Sequence, residues 1–280
     1  MRDFDCADFD VEEVVAELLD GGGCVRFPHA FQAATIREAR DVIMARTERE
    51  PPKVTHFQAT GDDEDLLSRQ RRVWNLLAKG AVFSTMAQHP AAMAVLRRFL
   101  GESFIMGSIC ASRLLPGSPG QEPHIDYPYW DFHKPATFPV RTNASFPLNA
   151  QVTIMLDPFT DASGATAYLP GSQKAIRYPT KDDPFFDRCA RMLGEPGDMV
   201  LFFGAAWHCA MPNRSTCDRT GILIEYLPKF VKPVEDMLSG LDEDFLQTAD
   251  PMIRQLLGLD YPYPQVFDKS EAVNAEGIGY

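Results

Sequence analysis

The chain has 280 residues, 45% of them apolar and 24% charged, with 27 basic against 39 acidic side chains for a formal net charge of -12. That length suits a single large domain around one core, and the acidic balance disfavours a phosphate backbone as partner despite a local cluster at Arg69, Arg71 and Arg72. No run approaches the roughly 20 continuous apolar residues that a membrane-spanning helix needs, and the opening MRDFDCADFD lacks the basic and apolar regions of a secretory signal. The expected compartment is the cytoplasm, where six scattered cysteines without a CxxC pair stay reduced.

In chain order, Asp10 precedes a helical stripe of Val11, Val14, Val15, Leu18 and Leu19. Glu13 is placed to complete a capping box, and Gly21-Gly22-Gly23 to stop the helix. A short apolar run, Cys24 to Phe27, leads to Pro28; Ala33 to Arg46 reads as a second helix, ended before Pro51-Pro52. Val54 to Glu64 is polar and turn-rich and reads as a loop. Ser84 to Leu100 carries the next apolar stripe and is closed by Gly101. Residues 1–100 are therefore expected to be mostly helical.

After Gly101 the period changes from helical to two. Leu148, Ala150, Val152, Ile154 and Leu156 alternate with Asn149, Gln151, Thr153 and Met155, which only a strand explains well. Further strands are expected over Phe104 to Leu115, Ala165 to Leu169, Met199 to Phe203 and Thr220 to Leu227, separated by PGSPGQ, DASG, LPGS and EPGD turns. Helix returns around Val234 to Leu238 and Asp244 to Leu257, and DYPYP reads as irregular. The pattern predicts an α+β fold. Its core, over residues 101–230, is a β-sandwich or jelly roll, with helices of the flanking parts 1–100 and 231–280 packed on one outer face.

Within EPHIDYPYW, His124 and Asp126 stand two apart, so on an extended segment an imidazole nitrogen and a carboxylate oxygen point to the same side. A third ligand must come from elsewhere. Of the other histidines, only His208 sits at the end of a well-defined core strand, in VLFFGAAWHCAMPN. Two histidines and a carboxylate leave half an octahedron open, an arrangement suited to Fe(II) binding a co-substrate and O2. Eleven residues beyond His208 comes Arg219, at the start of another strand. A buried arginine there requires an anion, and its planar fork suits a carboxylate. Arg214, in the polar turn PNRSTCD, is expected to be solvated.

The order HID, SGATAYLPGSQK, GDMVLFFGAAWH and Arg219 resembles the phytanoyl-CoA dioxygenase family of Fe(II)- and 2-oxoglutarate-dependent oxygenases. The likeness extends over nearly the whole chain, including the GGGCVRF strand after the first helix. The resemblance implies a double-stranded β-helix, or cupin-like jelly roll, with His124, Asp126 and His208 as iron ligands and Arg219 on the distal carboxylate of 2-oxoglutarate. It further implies Thr153 and Met106 beside that co-substrate. Ala210 stands where relatives often carry a helping serine, so Gln121 or Thr153 is expected to compensate.

The chemistry so implied is oxidation of a C–H bond of a small molecule with consumption of O2 and 2-oxoglutarate, in a biosynthetic tailoring step. Asp126 favours hydroxylation, desaturation or ring formation over chlorination, since halogenases on this scaffold carry a small residue there. Tyr129, Trp130 and Phe146, with His133 and Arg141 on the irregular segment between, are the expected substrate contacts. The rival readings are a non-oxidative cupin-like metalloenzyme, which leaves Arg219 without a role, and a non-catalytic ligand-binding member of the fold.

Overall fold

The computed structural model describes residues 1–49, 69–132 and 146–260. The segment Val54 to Glu64, His133, Arg141 and all but the first residue of DYPYP lie outside the described residues.

Among the described residues ten strands form two sheets. The larger joins seven strands: β1 (Arg2–Asp3), β2 (Cys24–Phe27), β3 (Gln70–Val73), β4 (Ile105–Leu114), β5 (Ala150–Met155), β8 (Met199–Phe202) and β10 (Arg219–Leu227). Their order is β1-β2-β8-β5-β10-β4-β3, antiparallel throughout except for β1 beside β2. The smaller sheet holds β6 (Ala167–Tyr168), β7 (Ala190–Arg191) and β9 (His208–Cys209) in the order β7-β6-β9. The nominally helical first third thus contributes three strands to the main sheet, including the GGGCVRF run.

The period-two alternation explains how the large sheet is covered. Leu148, Ala150, Val152, Ile154 and Leu156 join Met199, Leu201, Ile222 and Ile224 in one buried cluster with the apolar faces of the helices Val11–Leu19, Ala33–Arg49, Ala81–Ala87 and Pro90–Leu100. The opposite face supplies Met155, Val200 and Phe202, which meet Tyr168 of the smaller sheet. Gln151 and Thr153 on that same inner face line a cavity instead. Helices on the outside and a second sheet on the inside leave the space between the sheets as the place for a site. Among the described residues no helix is long and apolar enough to cross a membrane.

Proline decides where the expected helices divide. The stripe Ser84 to Leu100 is two helices, because Pro90 has no N–H to continue the first and serves as N1 of the second. Pro251 likewise splits Asp244 to Leu257 into Glu243–Thr248 and Pro251–Leu256. Around Val234 to Leu238 only a short 3-10 turn, Leu238–Gly240, is formed. At the first helix Asp10 caps through the Glu12 amide at 2.9 Å, while Glu13 turns to Arg2 instead of closing a capping box.

Two expected site residues belong to this core. The β4–β10 ladder pairs Glu225 with Ser108 but Tyr226 with Met106, so Gly107 is an extra residue that reverses the strand's phase. Met106 is therefore fully buried with Tyr226 on the helix-covered face, and not beside a co-substrate. Tyr129 is also fully buried, against Phe203, and its hydroxyl accepts the Leu148 amide at 2.6 Å. It holds the entry to β5 and not a substrate. Tyr129→Phe, which leaves that buried N–H without its acceptor, should lower the unfolding free energy by about 1–3 kcal/mol in urea denaturation. A destabilisation below the error of the measurement would show that Leu148 finds another partner.

Candidate metal and co-substrate site

The segment carrying His124 and Asp126 is not a regular strand. His124 makes a single antiparallel bridge to His208, each donating its amide to the other's carbonyl at 3.0 Å. Asp126 then donates its amide to the Gly204 carbonyl at 2.9 Å, which keeps the stretch extended and sends Ile125 into the core. The approach depends on Gly120, whose φ of +85° suits glycine and whose Cβ would collide with the backbone of Ala210 and Pro212. On the other side Tyr168 of β6 pairs with His208, and Ser172 of the LPGS turn accepts the Trp207 amide at 2.8 Å. Gln173 ties the same turn to the carbonyls of Leu19 and Gly21. SGATAYLPGSQK is thus the brace that holds the His208 strand.

The bridge brings three donors together. Ligand atoms of His124, Asp126 and His208 all lie within 4.8 Å of one another. Nε2 of His208 is 3.3 Å, and Nε2 of His124 3.9 Å, from the Asp126 carboxylate. Each ring is oriented from behind: Nδ1 of His124 meets the Glu122 carbonyl at 2.8 Å and Nδ1 of His208 the Ala206 carbonyl at 2.9 Å. A carbonyl can only accept, so Nδ1 carries the proton and Nε2 presents a lone pair toward the carboxylate. Burial pushes both imidazoles down to about 4 and the Asp126 carboxyl up to about 6, with the neighbouring imidazole of His124 partly opposing the latter. At neutral pH the set is therefore two neutral imidazoles and a carboxylate, the protonation a divalent cation requires. Gln151, across the cavity on β5, hydrogen-bonds Asp126.

Arg219 opens β10 and is 2% exposed. Its Nη2 donates to the Gly164 carbonyl at 2.9 Å and its guanidinium lies 4.3 Å from the centre of the Phe159 ring, but Nε has no acceptor. Asp157, whose charge reaches it, is committed to Arg40 at 2.8 Å and to the Thr220 amide at 3.0 Å. Burial lowers Arg219 to about 9, so it remains cationic at neutral pH in a place that penalises the charge. Gly164 supplies its carbonyl at φ +79°, where a Cβ would run into the backbone of Met211 and Pro212.

His124, Asp126, His208 and Arg219 all line one cavity of about 820 Å³, counting space open to solvent. Thr153, Gln121 and Trp130 line it too. The Gln121 side-chain oxygen accepts the Ala210 amide at 3.2 Å, so only its Nε2 is left to replace the missing serine. Phe146 is 58% exposed and stacks on Phe230 at 6.3 Å, away from the cavity lining. Arg214 is exposed, as its turn suggested. Cys209, next to His208, is buried, and burial pushes its thiol up to about 12, so it is packing and not a thiolate.

Sequence reasoning missed Arg72 and Trp74 of the β3 edge, Ser108, Cys110 and Ser112 of β4, and Leu223 and Glu225 of β10. The alternation along β10 carried the signal: Arg219, Leu223 and Glu225 share the phase that faces the cavity. For β3 the sequence held none, since its placement comes from pairing with β4.

The chain resembles curated proteins and solved structures over most of its length. It is 25% identical over 252 residues to the dioxygenase cdmA of Talaromyces verruculosus, covering 88% of this chain and 82% of that protein. To the dioxygenase trt7 of Aspergillus terreus it is 23% identical over 246 residues, covering 81% and 83%. Among solved structures, the alpha-ketoglutarate-dependent carbocyclase SnoK from nogalamycin biosynthesis superposes with a TM-score of 0.60 at 17% identity, over 85% of this chain and 92% of that one. HygX from Streptomyces hygroscopicus, with nickel and 2-oxoglutarate bound, gives 0.58 at 17% identity over 81% and 91%. These two establish the shared cupin-like fold. The phytanoyl-CoA dioxygenase (PhyH) family model matches residues 19–221, and the chain accordingly belongs to the phytanoyl-CoA dioxygenase family of Fe(II)- and 2-oxoglutarate-dependent oxygenases.

Proposed function

We propose that His124, Asp126 and His208 hold the iron, that Arg219 holds the distal carboxylate of 2-oxoglutarate, and that the enzyme oxidises a C–H bond of a small molecule in a biosynthetic tailoring step. The observation that carries the reading is the pairing of a neutral N2O donor set with a buried guanidinium whose Nε lacks an acceptor, in one cavity. A non-oxidative cupin-like metal site gives that guanidinium no task.

When bound, iron with 2-oxoglutarate and O2 supplies the oxidising equivalents for C–H cleavage. The chain's residues do the positioning. The two carbonyls behind His124 and His208 fix the rings, and Gln151 fixes the carboxylate, so the three ligand atoms converge and would hold the iron between them. Arg219 sets the co-substrate's orientation through its far end, aided by Thr153 and by Nε2 of Gln121. Phe159 and the Gly164 carbonyl hold the guanidinium in place. Trp74, Tyr127 and Trp130 give the open side of the cavity an apolar wall that displaces water around a substrate.

Asp126 occupies the third ligand position with a carboxylate, which supports hydroxylation over chlorination. The solved structures of similar fold include a carbocyclase, SnoK, so ring formation belongs to the same proposal, as does desaturation where the substrate's geometry directs it. The formal charge of -12 supports a small-molecule substrate over nucleic acid, and six scattered cysteines without a CxxC pair suit a reducing, cytoplasmic setting.

Anaerobic addition of Fe(II) and 2-oxoglutarate should produce the weak visible charge-transfer band of the chelate. Arg219→Ala should weaken 2-oxoglutarate binding by about 30-fold or more, the effect of removing one partner of a buried charge pair. An undiminished band at the same 2-oxoglutarate concentration would release Arg219 from that role. Asp126→Ala should abolish substrate hydroxylation, and full activity would remove Asp126 from the iron.

The protonation states give a signed pH dependence for metal binding. Asp126, raised to about 6, must surrender a proton below that pH, whereas the imidazoles, lowered to about 4, are already neutral down to there. Apparent Ni(II) affinity, followed by calorimetry under 2-oxoglutarate-free conditions, should be flat above pH 7. It should fall about tenfold per unit between pH 6 and 4, one proton displaced per metal. A decline that begins only below pH 4 would mean that no titrating carboxylate binds the ion.

A further inference from the structure

The cavity has a second buried ionisable group that the proposed chemistry does not use. Glu225 is 3% exposed, lines the cavity from β10, and its Oε2 has no hydrogen-bond partner. Oε1 is met by the Gln151 amide at the long distance of 3.5 Å, and Asn149 also approaches the carboxyl as a hydrogen-bond donor. An unsatisfied buried carboxyl oxygen is costly, and a structure that keeps one inside a cavity gains from it only when something else fills the bond.

The strand places the two ends of the cavity. Arg219 and Glu225 have the same phase on β10, six residues apart, or roughly 20 Å at about 3.3 Å per residue. Leu223 faces the cavity between them. The arginine end suits the dicarboxylate, so the glutamate end is left for the other substrate. Gln151 contacts both Asp126 and Glu225, which puts the second end one side chain away from the metal ligands.

The charge around this end selects what it can hold. A substrate carboxylate would meet Glu225 and Asp126; an ammonium would enter a cavity that already contains Arg72, Arg219 and the metal. A neutral hydroxyl meets neither objection. The Glu225 carboxyl can accept a hydrogen bond from such a group. Trp74, Tyr127, Trp130 and Val234 line the same cavity and are apolar in bulk.

Building on the oxygenase reading above, we propose that Glu225 is the substrate-anchoring residue, taking a hydroxyl of an otherwise bulky and apolar substrate and thereby presenting a C–H bond near that hydroxyl to the iron. Glu225 would set specificity for an oxygenated substrate over its deoxygenated or alkylated counterpart, as a site built around one polar group does.

The test uses two probes, adamantan-1-ol and its methyl ether, titrated calorimetrically under anaerobic conditions into protein loaded with Fe(II) and 2-oxoglutarate. Wild type should bind the alcohol about tenfold more tightly, the value of one net hydrogen bond. Glu225→Leu should erase that preference, and Glu225→Gln, which retains an acceptor, should keep part of it. Both variants should retain the charge-transfer band and the 2-oxoglutarate affinity of wild type. Absence of an alcohol preference in wild type, or an unchanged preference in Glu225→Leu, overturns the proposal. Loss of metal or 2-oxoglutarate binding in Glu225→Gln also overturns it, by assigning Glu225 to support of Gln151 and Asp126. A wild-type protein that forms no band removes the oxygenase reading itself, an outcome separate from the other three.

Discussion

The site depends on one pair of backbone hydrogen bonds, the reciprocal 3.0 Å bonds between His124 and His208. They join an irregular segment, held on either side by the Gln121–Ala210 and Asp126–Gly204 backbone bonds, to the edge of the three-stranded sheet. Because each residue exchanges both its amide and its carbonyl with the other, the rings are held on the same side with their centres 4.5 Å apart. Asp126, two residues on, inherits its direction from the same bridge. The glycine turn before His124 and the LPGS brace behind His208 exist, in physical terms, to let this bridge form without collision.

Around that bridge the molecule separates structural and chemical demands by face. The outer face of the large sheet is closed by helices and predominantly apolar, so its stability comes mainly from burial. The inner face carries the polar residues, and there a closed core would be penalised: Arg219 and Glu225 each keep an atom without a partner. Those atoms are tolerable because they face a cavity that binds polar molecules. At these two positions a bound ligand can complete the hydrogen-bond inventory that the protein leaves open.

The same division explains which expectations fared well. The strands were legible because alternation on a half-buried sheet has a period no helix shares, and β4, β5, β8 and β10 lie within a residue or two of their expected bounds. Helix ends were less legible where a proline reads equally as an interruption or as the first residue of the next helix, as at Pro90 and Pro251. Met106 shows the limit of phase counting. Its distance from His124 placed it correctly on β4, yet one inserted residue at Gly107 turned it to the other side. Tyr129 shows the limit of proximity in sequence, since two neighbouring aromatics, Tyr127 and Trp130, line the cavity while it enters the core.

The sequence by itself determined the chemical types and their local directions: a histidine and an aspartate two apart in an extended stretch, a histidine at one strand end, an arginine opening another, and the phase of β5 and β10. These are local properties, set by backbone geometry over a few residues. Only the tertiary structure decided which of these groups meet, that Arg219 Nε finds no acceptor among the described residues and that Glu225 lines the cavity with one oxygen lacking a hydrogen-bond partner there. Such facts arise from pairing between segments far apart in the chain, where a single bulge or bridge chooses among registers that the local pattern leaves equally good.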